Sequence, residues 1–83
     1  SAPKMPAESV LSVAFSNNLC ILRTLPGFAP SVAIYIDYSS LLEIIGTIAG
    51  DDTILLIPGE NFNRREILNA LDGIFPGIEE KVL

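Results

Sequence analysis

The stretch Ile44-Ile45-Gly46-Thr47-Ile48-Ala49-Gly50-Asp51-Asp52-Thr53-Ile54-Leu55-Leu56-Ile57 decides the fold. Two runs rich in β-branched residues flank Gly50-Asp51-Asp52, whose residue types belong in turns. The pattern reads as a hairpin: a short strand over Ile44 to Ala49, a tight connection, and a second strand over Thr53 to Ile57 that Pro58-Gly59 stops. Successive side chains on a strand point to opposite faces. Ile54-Leu55-Leu56-Ile57 is apolar at every position, so both faces of this strand are apolar, whereas a strand with one wet face would alternate. Helices can cover one face. The other is expected to lie against another copy of the chain, with either Leu55 or Leu56 turned outward.

Upstream, Val10 to Phe15 and Leu19 to Thr24 read as two strands joined by Asn17-Asn18, because Asn tolerates positive φ. Pro26-Gly27 ends this hairpin. Phe28, Val32, Ile34, Tyr35 and Ile36 then recur over the length of a short helix, placed at about Ala29 to Asp37. Pro30 fits there only in the first turn, where its missing N–H has no partner to lose. Downstream, Asn63 is an N-cap with Glu66 at the capping-box position, and Phe62 and Ile67 are spaced as a hydrophobic staple. Ile67, Leu68, Leu71, Ile74 and Phe75 make one helical stripe, and Pro76 ends it. The order β-β-α-β-β-α predicts an α+β domain of two layers, a four-stranded sheet with two helices on one face, over residues 10–83. Residues 1–9 are small, polar and proline-bearing, and read as a linker stub or tag remnant.

The chain has 83 residues, enough for one domain. A domain of this size buries only about 60% of the surface its unfolded chain exposes. Yet its apolar content, counting Gly and leaving out Tyr, is roughly 54% against a typical 45–50%. The surplus predicts that copies of the chain cover each other. The net charge is −5, and Arg64-Arg65 is the one adjacent basic pair, so this segment is not expected to grip nucleic acid phosphates. The acidic balance suits a cationic ligand. There is no His, hence no Cys-His or Ser-His pair and none of the usual zinc ligands beyond a single Cys. Cys20, in Leu19-Cys20-Ile21-Leu22, reads as a core thiol, and a lone Cys fits a reducing, cytoplasmic setting. Every apolar run is too short to span a membrane.

The acidic turn carries what chemistry there is. Asp51 and Asp52 admit two readings. In one they are ordinary turn residues. In the other, two neighbouring carboxylates whose repulsion asks for a cation face one ligand, or a ligand and a neighbouring chain. A guanidinium suits a carboxylate because it donates two parallel hydrogen bonds. Calcium wants six to eight oxygens from a longer acidic loop, and adjacent residues do not set two carboxylates across a scissile bond, so neither a metal nor catalysis is expected. Asp37, at the end of the first helix, opposes the helix dipole and is either a solvated helix-end acid or a third carboxylate of the same site.

The stretch Gly46-Thr47-Ile48-Ala49-Gly50-Asp51-Asp52-Thr53-Ile54 resembles the signature of the C-terminal domain of bacterial arginine repressors. Arg23-Thr24-Leu25-Pro26-Gly27 resembles that family's strand-to-helix junction, and Asp37 stands at the matching helix end. The resemblance covers about Leu19 to Ile57. It implies a ligand-sensing and oligomerisation domain, not an enzyme, that forms trimers pairing into hexamers. L-arginine, as corepressor and with no further cofactor, would bind between trimers, and operator DNA would be bound by a separate N-terminal winged helix. It further implies that Asp51 and Asp52 contact the cationic groups of the ligand, and that Asp37, Thr47 and Ala49 line the same site, Ala49 through its backbone. Family members often carry a glutamine early in the first helix as a further contact. Pro30 stands there in this chain, so that contact is lost or moved to Ser31. The rival readings are an oligomerisation module without a ligand and a sensor of another amino acid, such as ornithine or citrulline.

Overall fold

The computed structural model describes residues 7–83. Most of the expected linker stub, residues 1–6, lies outside the described residues, and Ala7–Ser9 form a 3-10 turn. Four strands and two helices follow: β1 (Val10–Ser16), β2 (Leu19–Thr24), α1 (Ala29–Tyr38), β3 (Ile44–Ala49), β4 (Thr53–Pro58) and α2 (Arg64–Ile74). This is the β-β-α-β-β-α order read from the sequence. The end boundaries of β1, β4 and α1 each run one residue further than expected. A second 3-10 turn, Ile78–Lys81, was not foreseen.

The sheet order is β1-β2-β4-β3, antiparallel throughout. Each hairpin thus contributes one central strand, β2 pairing with β4, and one edge strand. Asn17 takes φ +52 in the first turn, the left-handed conformation that an Asn pair permits. The chain then leaves β2 beside the start of β4 and turns through Gly27, at φ +84, which only glycine adopts without strain. It runs down α1 and returns along β3. The Asp51-Asp52 turn is therefore brought back to the beginning of α1.

Side-chain alternation sorts the two faces. Val13, Cys20, Leu22, Ile54 and Leu56 are fully buried on one, under Val32 and Ile36 of α1 and Ile67 and Leu71 of α2. Tyr35 ties the helices together: its hydroxyl donates to the Ile74 carbonyl at 3.1 Å, and its ring meets Phe75 edge-on at 5.4 Å. Leu56 therefore points inward and Leu55 outward, which settles what the strand pattern left open. The outer face carries Ala14, Ile21, Leu55 and Ile48 in one row across all four strands.

Capping of α2 is as the sequence predicts. The Asn63 side chain accepts from the Glu66 amide at 2.8 Å, and the Glu66 carboxylate accepts from the Asn63 amide at 2.9 Å. Phe62 packs against the core cluster that contains Ile67. Beyond Pro76 the chain is anchored by backbone, the Leu83 amide donating to the Val13 carbonyl at 2.9 Å.

Cys20 lies in the core, and burial pushes its thiol from the ordinary 9.0 up to about 12. Between these values the unfolded chain gives up a proton that the fold retains. The group thus leaves stability unchanged below pH 9 and lowers it as pH rises through that window. Maleimide labelling at pH 8 should be slower in the folded protein than in denaturant by roughly a thousandfold or more, following the unfolded fraction. Equal rates would show that the thiol is open to solvent.

Candidate ligand-binding site

The Asp51-Asp52 turn is held by its backbone. The Gly50 amide donates to the Thr53 carbonyl at 2.8 Å and closes the hairpin. The Asp51 carbonyl accepts from the amides of Gly27 and Ala29, each at 3.1 Å, and the Asp52 carbonyl accepts from the Thr24 amide at 2.8 Å. Phe28 caps α1 without a side-chain hydrogen bond, so the Asp51 carbonyl supplies the partner that an amide at the helix start otherwise lacks. Since carbonyls do the clamping, the carboxylates stay available. That of Asp51 is exposed and has no hydrogen-bond partner among the described residues, while that of Asp52, half-buried, accepts from the Thr53 hydroxyl at 2.9 Å.

Asp37 sits in the last turn of α1, and the Thr47 hydroxyl donates to its Oδ1 at 2.9 Å. This bond offsets part of the cost of a carboxylate at a helix C-terminus. Asp37 and Thr47 line a pocket of about 380 Å³ with Ile36, Ser40, Ile44 and Gly46, which the two aspartates of the turn do not enter. Among the described residues no three acidic groups gather as a metal site would require. The acids thus form two stations along the edge where α1 packs on β3: Asp37 with Thr47 at one, Asp51 and Asp52 at the other.

Ala49 lies between the stations on β3, an edge strand. Gly50 and Thr53 form a hydrogen-bonded pair, so Ala49 and Ile54 form the intervening non-bonded pair. The amide and carbonyl of Ala49 therefore face out of the sheet edge, as a contact through its backbone requires. Ser31 is exposed in the first turn of α1, two residues from the Ala29 amide that Asp51 holds. Its hydroxyl donates to the Phe28 carbonyl at 3.1 Å and keeps its acceptor capacity. Six residues of rise from Ser31 to Asp37, at 1.5 Å per residue, set the two about 9 Å apart along the helix axis.

Arg23 and Thr53 were not expected at this site. Nη1 of Arg23 donates to the Thr53 hydroxyl at 2.8 Å, next to the bond from Thr53 to Asp52. Their pairing across β2 and β4 joins residues thirty apart in the chain, which no local motif reveals.

A profile of the arginine repressor C-terminal domain matches residues 7–73. An arginine repressor of Phocaeicola vulgatus is 48% identical over 69 residues, 83% of this chain and 44% of its own length. One from Bacteroides thetaiotaomicron is 45% identical over the same shares, and one from Desulfitobacterium hafniense is 56% identical over 50 residues, 60% of this chain and 33% of its own length. These matches define the class, a C-terminal domain of repressor proteins. The chain belongs to the arginine repressor family and corresponds to its C-terminal domain, spanning less than half the length of the relatives it matches. The match extends beyond Leu19 to Ile57 on both sides.

Proposed function

We propose that this domain senses L-arginine and assembles the regulator that carries it, holding the amino acid between trimers and so favouring a hexamer that binds DNA through a separate N-terminal domain. The observation that carries this reading is the pair of acidic stations along the α1–β3 edge, with the Asp51 and Asp52 carboxylates left available by backbone clamping. L-arginine has two cationic groups, the guanidinium and the α-ammonium, and an elongated site with an acid at each end fits both. The pocket at Asp37 lacks the turn aspartates, which supports a site completed by a second copy of the chain. Nothing in this arrangement pairs a nucleophile with a base, and the domain is proposed to act by binding alone.

Calorimetric titration with L-arginine, citrulline and lysine tests this. Citrulline keeps the shape of arginine and removes the guanidinium charge, so it should bind roughly tenfold or more weakly. In sedimentation of a diluted sample, arginine should shift trimers toward hexamers, because a ligand held between trimers favours the complex by mass action. Citrulline binding as tightly as arginine would sink the role of the carboxylates. An unchanged sedimentation profile would remove the ligand from the trimer interface.

A further inference from the structure

We infer that Thr53, held by Arg23, is a positioning residue for Asp52, fixing the orientation in which that carboxylate meets a cationic ligand. The inference rests on the reading of Asp52 as a ligand contact. Thr53 has one hydroxyl hydrogen. Its oxygen accepts from Nη1 of Arg23 at 2.8 Å and lies 2.9 Å from Oδ1 of Asp52. A guanidinium is donor-only and an ionised carboxylate acceptor-only, so the direction of both bonds is forced. Arg23 occupies an acceptor lone pair of the hydroxyl, and the single hydrogen must go to Asp52. The relay engages Oδ1 and leaves Oδ2 as the oxygen with both acceptor positions open among the described residues. A hydroxyl that could rotate toward another acceptor would let the carboxylate swing. With Arg23 in place it has one partner to donate to.

The fold does not need this relay. Arg23 and Thr53 are already paired through β2 and β4, the Thr53 carbonyl takes the Gly50 amide, and the Asp52 carbonyl takes the Thr24 amide. All of these bonds are backbone. Val in place of Thr53 keeps the β-branched shape that suits a strand and loses the hydroxyl.

The test is L-arginine titration of the assembled protein as wild type, Asp52→Asn, Thr53→Val, Thr53→Ser, Arg23→Met and the double variant Asp52→Asn/Thr53→Val, with apo melting temperatures alongside. Thr53→Val should weaken binding about three- to tenfold, and Arg23→Met by a smaller factor in the same direction. Thr53→Ser, which restores the hydroxyl, should recover wild-type affinity. Thr53→Val should have no further effect once Asp52 is Asn, because there is no charge left to orient. Apo melting temperatures should stay near wild type. If Asp52→Asn is weak but Thr53→Val binds as wild type, the positioning role is overturned and the ligand reading stands. If Thr53→Ser is as weak as Thr53→Val, or if Thr53→Val weakens Asp52→Asn as much as it weakens wild type, the effect is structural and the inference falls. Wild-type affinity in Arg23→Met would strike Arg23 from the relay. If wild type and Asp52→Asn bind arginine alike, both the inference and the reading beneath it are overturned.

Discussion

Replacing Asp51 or Asp52 with Asn is expected to weaken L-arginine binding about ten- to a hundredfold while leaving the apo fold intact, since a charge-assisted hydrogen bond contributes about 1.5–3 kcal/mol. The two halves of this expectation rest on different atoms. Stability of the turn comes from the Asp51 and Asp52 carbonyls, which hold Gly27, Ala29 and Thr24, and from the Gly50 amide on Thr53. Asn keeps all of these. It also keeps an oxygen that can accept from the Thr53 hydroxyl. What it removes is one negative charge next to another, so apo stability should hold or rise slightly. A ligand at a hundred times its dissociation constant stabilises by about 2.7 kcal/mol, and wild type should therefore melt several degrees higher with arginine. Both variants should gain much less at the same concentration. Equal arginine-induced shifts in wild type and both variants would mean that the acids are turn residues and the ligand contacts other groups.

The parts of this fold that were legible in the sequence are those written locally. Asn63 and Glu66 stand three apart, and the reciprocal bonds of a capping box follow from that spacing alone. Asn17-Asn18 and Asp51-Asp52 each mark a hairpin because few other residues take turn geometry at low cost. Pro30 placed the start of α1 within a residue or two. The resemblance to arginine repressors likewise depended on a contiguous stretch, and the family match confirms it.

What escaped depends on register and on backbone atoms. Leu55 and Leu56 are chemically identical, and only the pairing of β4 with β2 and β3, together with the helices above, assigns Leu56 to the core. The Asp51 carbonyl as a partner for the start of α1 is invisible to a reading of side chains. The relay through Arg23 and Thr53 needs two strands that are neighbours in space and thirty residues apart in sequence. The segment after Pro76 has no periodic pattern, and its anchoring comes from a bond to β1 at the other end of the chain. A serine in a first turn carries no mark of a ligand contact, and for Ser31 only the family pattern suggests that role.

Leu55→Glu is expected to dissociate the assembly into folded monomers, with the dissociation constant raised by roughly two to four decades, because an unpaired charge trapped in an interface costs about 3–5 kcal/mol. Leu55 is at the centre of the row Ala14, Ile21, Leu55 and Ile48, and Leu19 and Ile57 share its face by alternation. Ile48 is 62% exposed in the single chain, and among the described residues both helices pack on the opposite side of the sheet. In an isolated chain a glutamate at position 55 can reach water, so the monomer should fold. The contrasting variant is Leu56→Glu. That side chain is fully buried beneath the helices, and a carboxylate there should prevent folding outright. The pair therefore separates loss of assembly from loss of structure, with sedimentation at micromolar concentration reporting the first and circular dichroism the second. A Leu55→Glu protein that sediments like wild type would free the sheet face from any interface. Assembly would then have to use another exposed apolar surface, such as Ile34 and Tyr38 one turn apart on α1 with Leu42 beyond them. That surface adjoins the Asp37 station, and burying it between copies would couple assembly directly to the ligand site.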